Sequence, residues 1–223
     1  MPSETNLTSN FGESLLPLRS VVNFFPIAVE GSIAAGKTTL CRGITSAWDG
    51  PVVTIPDYSD CFEQSPLPSA DPQGLEEEAQ IIDILLDIER RRFASRLSFF
   101  DPDVLGLIDR SILTIAAHCA GLDAVYGTNR FEDLAMRMLR TSKVAVWPTH
   151  AIYLDLPHRE LMGRLGSRAR NIFTFREFVD GYRGYFERLN RAGGIEILWL
   201  DATNPPKAIV QRALNFVPAP TPG

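Results

Sequence analysis

Gly31-Ser32-Ile33-Ala34-Ala35-Gly36-Lys37-Thr38 is the stretch on which the reading of this chain turns. Its spacing is G-x-x-x-x-G-K-[ST], the phosphate-binding loop of proteins that use ATP or GTP. Ile27-Ala28-Val29-Glu30 before it is a short apolar run suited to a buried strand. Thr39-Leu40-Cys41-Arg42-Gly43-Ile44 after it can open a helix. In such a strand–loop–helix unit the glycines let the backbone curl. N–H groups between Gly31 and Thr39 then point inward at phosphate oxygens. The helix N-terminus adds a partial positive charge. Lys37 would reach the β- and γ-phosphates, and the Thr38 hydroxyl would hold Mg²⁺. The plainer alternative is a glycine-rich turn carrying a surface lysine.

Outward from the loop, apolar runs alternate with helical patterns. Strands are expected at Ile27–Glu30, Val52–Ile55, Val104–Ile108, Ala151–Leu156 and Ile195–Leu200. Most are continuously apolar, as strands covered on both faces of a parallel sheet are. Helices are expected at Lys37–Ala47, Gly74–Phe99, Ser111–Ala120, Phe131–Ser142, His158–Leu165, Thr174–Arg191 and Pro206–Phe216. This alternation implies an α/β fold with right-handed crossovers, and ligands at the carboxyl ends of the strands. The expected organisation is a flexible tail over 1–20, a single domain over 21–217 and a disordered, proline-rich tail over 218–223.

With 223 residues, 45% of them hydrophobic, the chain is long enough for one sizeable core. Its formal net charge of −5 argues against nucleic acid as a partner, since such proteins are usually basic. No run approaches the roughly 20 apolar residues of a membrane span, and Met1–Asn10 has no secretory pattern. Cys41, Cys61 and Cys119 are scattered, as reduced thiols of a cytoplasmic protein would be. His118, His150 and His158 do not cluster, and they read as structural or surface residues.

Leu107-Ile108-Asp109-Arg110-Ser111 ends the third strand. A carboxylate there, facing the phosphate loop, can hold Mg²⁺ directly or through water, and the neighbouring arginine can clamp an anionic group. The alternative is a surface ion pair, with Ser111 capping the next helix. Residues 57–74 form a long Pro-, Ser- and Asp-rich connection, read either as a substrate cover or as a plain surface loop. The next helix opens with Glu76-Glu77-Glu78, which suits its dipole. Its apolar face, Ile81 to Ile88, is wide enough for the core or a homodimer interface. Arg90, Arg91, Arg92 and Arg96 follow, as a solvated basic turn or as a source of substrate contacts, for which Arg90 or Arg91 is the choice.

Glu30–Thr39 resembles the loop of deoxynucleoside kinases, E-G-N-I-x-x-G-K-[ST]-T, and Asp109-Arg110-Ser111-Ile112 resembles their E-R-S-I motif. The wider superfamily includes thymidylate kinases, which usually carry an acidic residue at the position of Ile33. The resemblance runs from about Phe25 to Phe216. It implies a five-stranded parallel sheet in the order 2-3-1-4-5 with a small lid at about 164–173. It also implies ATP, Mg²⁺ and a small-molecule acceptor. By resemblance, Asp57 in Pro56-Asp57-Tyr58 stands where the family has a glutamate that acts as general base, with Tyr58 beside the acceptor. Pro148–Pro157 resembles the fourth strand of thymidylate kinases. Arg164, Arg168 and Arg170 then stand as lid arginines that neutralise charge over the triphosphate. Asp201 and Ala202 would pack on the adenine through backbone atoms, and Arg110 would hold the acceptor end.

These residues point to phosphoryl transfer from ATP to a nucleoside-like molecule. A monophosphate kinase, a kinase of antibiotics or specialised metabolites, and a nucleotide switch without an acceptor remain as alternatives.

Overall fold

The computed structural model describes residues 26–62, 69, 71–94, 96, 104–142, 146–166 and 171–217. The expected tails, residues 63–68 of the long connection, and Arg168 and Arg170 of the expected lid lie outside the described residues.

Five strands, β1 (Pro26–Gly31), β2 (Val52–Ile55), β3 (Leu105–Asp109), β4 (His150–Asp155) and β5 (Glu196–Asp201), form one sheet. Every pairing is parallel and the order is β2-β3-β1-β4-β5, as the sequence reading expected. The helices are α1 (Lys37–Ala47), α2 (Leu75–Ala94), α3 (Leu113–Tyr126), α4 (Arg130–Thr141), α5 (His158–Leu165), α6 (Arg176–Arg191) and α7 (Pro206–Phe216). None of the described helices is long and apolar enough to cross a membrane.

Alternation along β1 separates two cores. Ile27 and Val29 join Leu40, Ile44, Leu161 and Ile209 from α1, α5 and α7. Ala28 joins the larger core built by α2, α3, α4 and α6. All six β1 residues are buried, which is why the strand reads as unbroken apolar sequence up to Glu30. The wide face of α2 is used in the same way. Ile81, Ile82, Leu85, Leu86 and Ile88 are buried among Phe131, Ala135, Met136 and Leu139 of α4. The core alternative therefore accounts for that face.

α3 is longer than the sequence pattern suggested. It is apolar all round, so it has no hydrophobic stripe whose end could be seen. It stops at Gly127, whose left-handed φ of 65° lets its N–H cap the carbonyl of Asp123. The Asp123 carboxylate then caps α4, accepting from the N–H groups of Phe131 and Glu132. α3 and α6 pack closely through glycines. A Cβ on Gly181 would stand 2.6 Å from the carbonyl oxygen of Ala120, and one on Gly121 would meet the Phe178 ring at 2.7 Å. This close crossing brings Phe178 and Tyr182 against the carboxyl ends of the strands.

Candidate active site

The loop after β1 takes three left-handed turns, at Gly31 (φ 137°), Ala34 (φ 59°) and Gly36 (φ 100°). Gly31 has no alternative, since a Cβ there would lie 2.6 Å from the Leu154 carbonyl oxygen. Ala34 is a non-glycine residue in a strained region, as is common at ligand-binding loops. The loop closes with the N–H of Ala35 donating to the carbonyl of Ser32 at 3.3 Å. Lys37 Nζ lies inside it and donates to Ser32 O at 2.9 Å. Burial, with the Arg110 charge nearby, pulls this ammonium down to about 7. Phosphate oxygens in the loop would reverse that shift by supplying opposite charge. Thr38 and Thr39 are exposed in the first turn of α1.

Arg164, at the end of α5, donates to the carbonyls of Ala34 (3.1 Å), Ala35 (3.3 Å) and Ala202 (2.6 Å). It thereby ties the glycine-rich loop after β1 to the segment after β5. There Asp201 accepts from the N–H and hydroxyl of Thr203, which hold its carboxyl below the ordinary value.

Asp109 closes the other side of the loop. Thr38 Oγ1 donates to Asp109 Oδ2 at 2.6 Å, while Oδ1 is buried without a hydrogen-bond partner. Burial raises this carboxyl and the Thr38 hydroxyl draws it back. A hydroxyl and a carboxylate oxygen with spare valence are hard donors of the kind Mg²⁺ takes. The residues present therefore fit that ion.

Arg110 has a left-handed φ of 63°, and its Nε donates to Asp57 Oδ2 at 2.8 Å. Burial alone would raise the Asp57 carboxyl. Arg110 and the Ser59 N–H outweigh it and hold the group below the usual range. The strained turn is pinned from both sides. Arg92, with a fully buried side chain, donates to the carbonyls of Asp109 (3.3 Å) and Arg110 (2.7 Å). Its charge is met by Glu89 at 3.0 Å, and its guanidinium lies 4.0 Å from the centre of the Tyr58 ring. From below, the buried Glu30 carboxylate accepts from Ser111 N, Ser111 Oγ, Thr114 Oγ1 and Tyr182 OH. Ser111 Oγ also accepts from Leu113 N in a local turn, while the N-cap of α3 is Ile112 with no side-chain cap, so Ser111 is not the cap residue.

These groups stand at one end of a cavity of about 300 Å³. Its wall runs from Ser32 and Ile33 past Asp57 and Arg110 to Ile81, Leu85, His118, Phe173 and Phe178. The structure brings together Asp57, Tyr58, Arg110, Ser32 and Ile33 at this cavity, with Lys37 and Thr38 at the start of α1 and Asp109 at the end of β3 beside the adjoining loop. Arg90 and Arg91 are not part of it. Both reach Asp87 on the outer face of α2, at 2.8 and 3.0 Å, with 67% and 41% of their side chains exposed. The helical period turns Arg92 inward instead. His118, expected to be a structural or surface residue, is on the cavity wall.

Glu78 lies beside His118. It is buried, accepts from the Cys119 thiol at 3.1 Å, and is raised by burial to about 7. Because the folded form binds this proton more tightly than the unfolded chain, its contribution is full below about pH 4.5 and is lost as pH rises towards 7. Glu78→Gln is expected to flatten that decline, by at most about 3 kcal/mol. Urea unfolding at pH 5 and pH 8 checks this. An unchanged pH slope would assign the proton elsewhere.

No protein-family model matches the chain, and no curated protein matches it. Solved structures match its fold. A deoxyadenosine kinase from M. mycoides with bound dATP aligns with a TM-score of 0.63 at 12% identity, over 86% of this chain and 99% of that chain. The deoxyadenosine kinase from M. mycoides with products dCMP and a flexible dCDP aligns with 0.61 at 13%, over 86% and 98%. A thymidylate kinase from Candida albicans aligns with 0.65 at 12%, over 87% and 91%. The five-stranded parallel sheet in this order, with its flanking helices, is the fold of P-loop kinases.

Proposed function

We propose that this chain is an ATP- and Mg²⁺-dependent kinase that transfers the γ-phosphoryl group to a hydroxyl of a nucleoside or nucleoside-like molecule. One observation carries the reading. The Asp57 carboxylate, held at 2.8 Å by Arg110, shares a cavity wall with Ser32 of the phosphate loop. A carboxylate between a phosphate site and an apolar pocket is placed to accept a proton from an alcohol attacking phosphorus.

In this account the loop N–H groups and Lys37 hold the triphosphate. Asp57 orients the acceptor hydroxyl and takes its proton as the new oxygen–phosphorus bond forms. Its low pKa makes it a weak base, which suits a loose transition state in which positioning matters more than proton abstraction. Arg110 keeps Asp57 in place and faces the acceptor's reacting end. Arg164 keeps the loop and the Ala202 segment in register, and Arg168 and Arg170 are assigned to the lid over the phosphates. Mg²⁺, held by Thr38 and Asp109, would supply charge neutralisation on the phosphate oxygens.

Coupled measurement of ADP release across nucleosides, nucleoside monophosphates and specialised metabolites tests this reading. Acceptor-dependent release is expected. Nucleotide hydrolysis at one slow rate, whatever the acceptor, would favour a switch protein.

A further inference from the structure

Nearly every polar side chain on the acceptor side of the cavity is committed to a protein partner. Asp57 and Arg110 hold each other, and Ser59 Oγ donates to Asp57 Oδ1 at 3.0 Å. Thr114 Oγ1 and Tyr182 OH donate to Glu30 Oε2 at 2.7 and 3.3 Å. Ser69 Oγ donates to the Asp71 carbonyl at 3.0 Å. The Tyr58 hydroxyl oxygen is enclosed and shows only its ring to the cavity.

Among the described lining residues, Ser32 Oγ at the glycine-rich loop is uncommitted, and so, on the acceptor side, is His118. Its ring lines the cavity with 17% of the side chain exposed, and it makes no hydrogen bond to any described residue. Its Nε2 approaches Glu78 Oε1 only to 3.9 Å, beyond hydrogen-bond range. Phe173 and Phe178 pack edge-on against it, with ring centres 5.4 and 5.5 Å away. The imidazole is thus held in place by aromatic packing while its hydrogen-bonding edge stays unspent. Such an unspent edge, set among Ile81, Leu85, Phe173 and Phe178, is the kind of polar group that orients a ligand in a pocket.

Resting on the kinase reading above, we propose that His118 is the specificity-determining residue of the acceptor pocket, hydrogen-bonding the edge of a flat ring carried by an uncharged acceptor. Burial, with the Arg110 charge nearby, holds His118 down near 4. At neutral pH it is therefore one donor and one acceptor and not a cation. Among the described lining residues the sole cation is Arg110, whose Nε is already engaged by Asp57. A monophosphate would bring about −1.5 to −2 of charge to a wall whose one described cation, Arg110, already shares its charge with the Asp57 carboxylate. A nucleoside brings none, and its base offers ring carbonyl, N–H and ring nitrogen edges that a neutral imidazole can pair. The aromatic rings of Tyr58, Phe173 and Phe178 suit its faces.

The test is calorimetric binding to the full chain, with Mg²⁺ and a non-hydrolysable ATP analogue present. The probes are the four 2′-deoxynucleosides and their 5′-monophosphates. At least one nucleoside is expected to bind more tightly than its own monophosphate. His118→Phe is expected to weaken that nucleoside about ten-fold, as a lost hydrogen bond in an apolar site would. His118→Gln, which keeps a donor and an acceptor, should retain most of the affinity. Unchanged affinity for the ATP analogue shows that each variant is folded. On the unmodified protein, the His118 ring ¹⁵N resonances should shift when the nucleoside is added. Equal nucleoside affinity in His118→Phe, tighter binding of every monophosphate, no binding of any nucleoside, or unmoved His118 resonances would each overturn the proposal. Binding that depends on His118 without phosphoryl transfer would instead remove the kinase reading and leave His118 as the ring-reading residue.

Discussion

Asp57→Asn is expected to lower kcat by about 10²- to 10⁴-fold, the usual range for a positioned acid–base group, while ATP affinity stays within about two-fold. The substitution keeps the shape and one acceptor oxygen, so the contact to Arg110 Nε can persist. It removes the charge and the capacity to take a proton. The groups assigned to ATP, Lys37, Thr38 and the loop N–H groups, lie on separate elements, α1 and the turn after β1, so their hydrogen bonds are kept and only the Asp57 charge that favours the Lys37 ammonium is lost. The two parameters therefore separate a role in chemistry from one in folding. Steady-state kinetics with saturating acceptor, beside calorimetric ATP binding, gives both. Turnover within about three-fold of the unmodified protein would remove Asp57 as the proton acceptor.

Arg92→Met is expected to destabilise the fold by about 3 kcal/mol, at the lower end for breaking a buried ion pair. Three losses combine. Glu89 keeps a fully buried carboxyl with no countercharge, and the carbonyls of Asp109 and Arg110 lose their shared donor. The stacking over Tyr58 goes as well. Burial already raises the Glu89 carboxyl, so protonation can absorb part of the cost once Arg92 is gone. Glu89→Gln in the same chain should recover part of the stability. Activity should fall by more than stability explains, because the left-handed turn at Arg110 loses its clamp. Arg90→Ala, in contrast, removes an exposed pair with Asp87 and should stay within about 0.5 kcal/mol of the unmodified protein. Urea unfolding of the three variants measures this. Equal stabilities for Arg92→Met and Arg90→Ala would contradict the assignment of the buried arginine.

The contrast between Arg90 and Arg92 shows where the sequence was legible and where it was not. The loop of Gly31–Thr38 could be read because its backbone conformations need particular residues at fixed spacing. The strands could be read because a sheet covered on both faces leaves unbroken apolar runs. α2 carried a second signal. Ile81, Leu85 and Ile88 continue at helical spacing to Arg92, and Glu78 precedes them on the same side. Following the period through the charged residues would have placed Glu78, Glu89 and Arg92 inside. Composition alone, which reads the arginines as a solvated basic turn or as substrate contacts through Arg90 or Arg91, does not separate Arg92 from its neighbours. His118 had no such signal. α3 is apolar on all sides, so no face of it marks the cavity, and only the crossing with α6 at Gly121 and Gly181 decides which side chains line it. Glu30 stood inside the quoted motif, but its role depends on the donors Ser111, just before α3, and Thr114, in its first turn, which lie more than 80 positions away.

The most direct test of the account follows the phosphorus. Purified protein is given Mg²⁺ and ATP labelled in the γ-phosphoryl group, together with the nucleoside panel, and the products are separated and analysed by mass. The account predicts that label moves from ATP to a hydroxyl of at least one nucleoside, in step with ADP formation, and that Asp57→Asn slows the transfer by about 10²- to 10⁴-fold while ATP still binds. Label found only in inorganic phosphate, with no phosphorylated acceptor at any protein concentration, would contradict it.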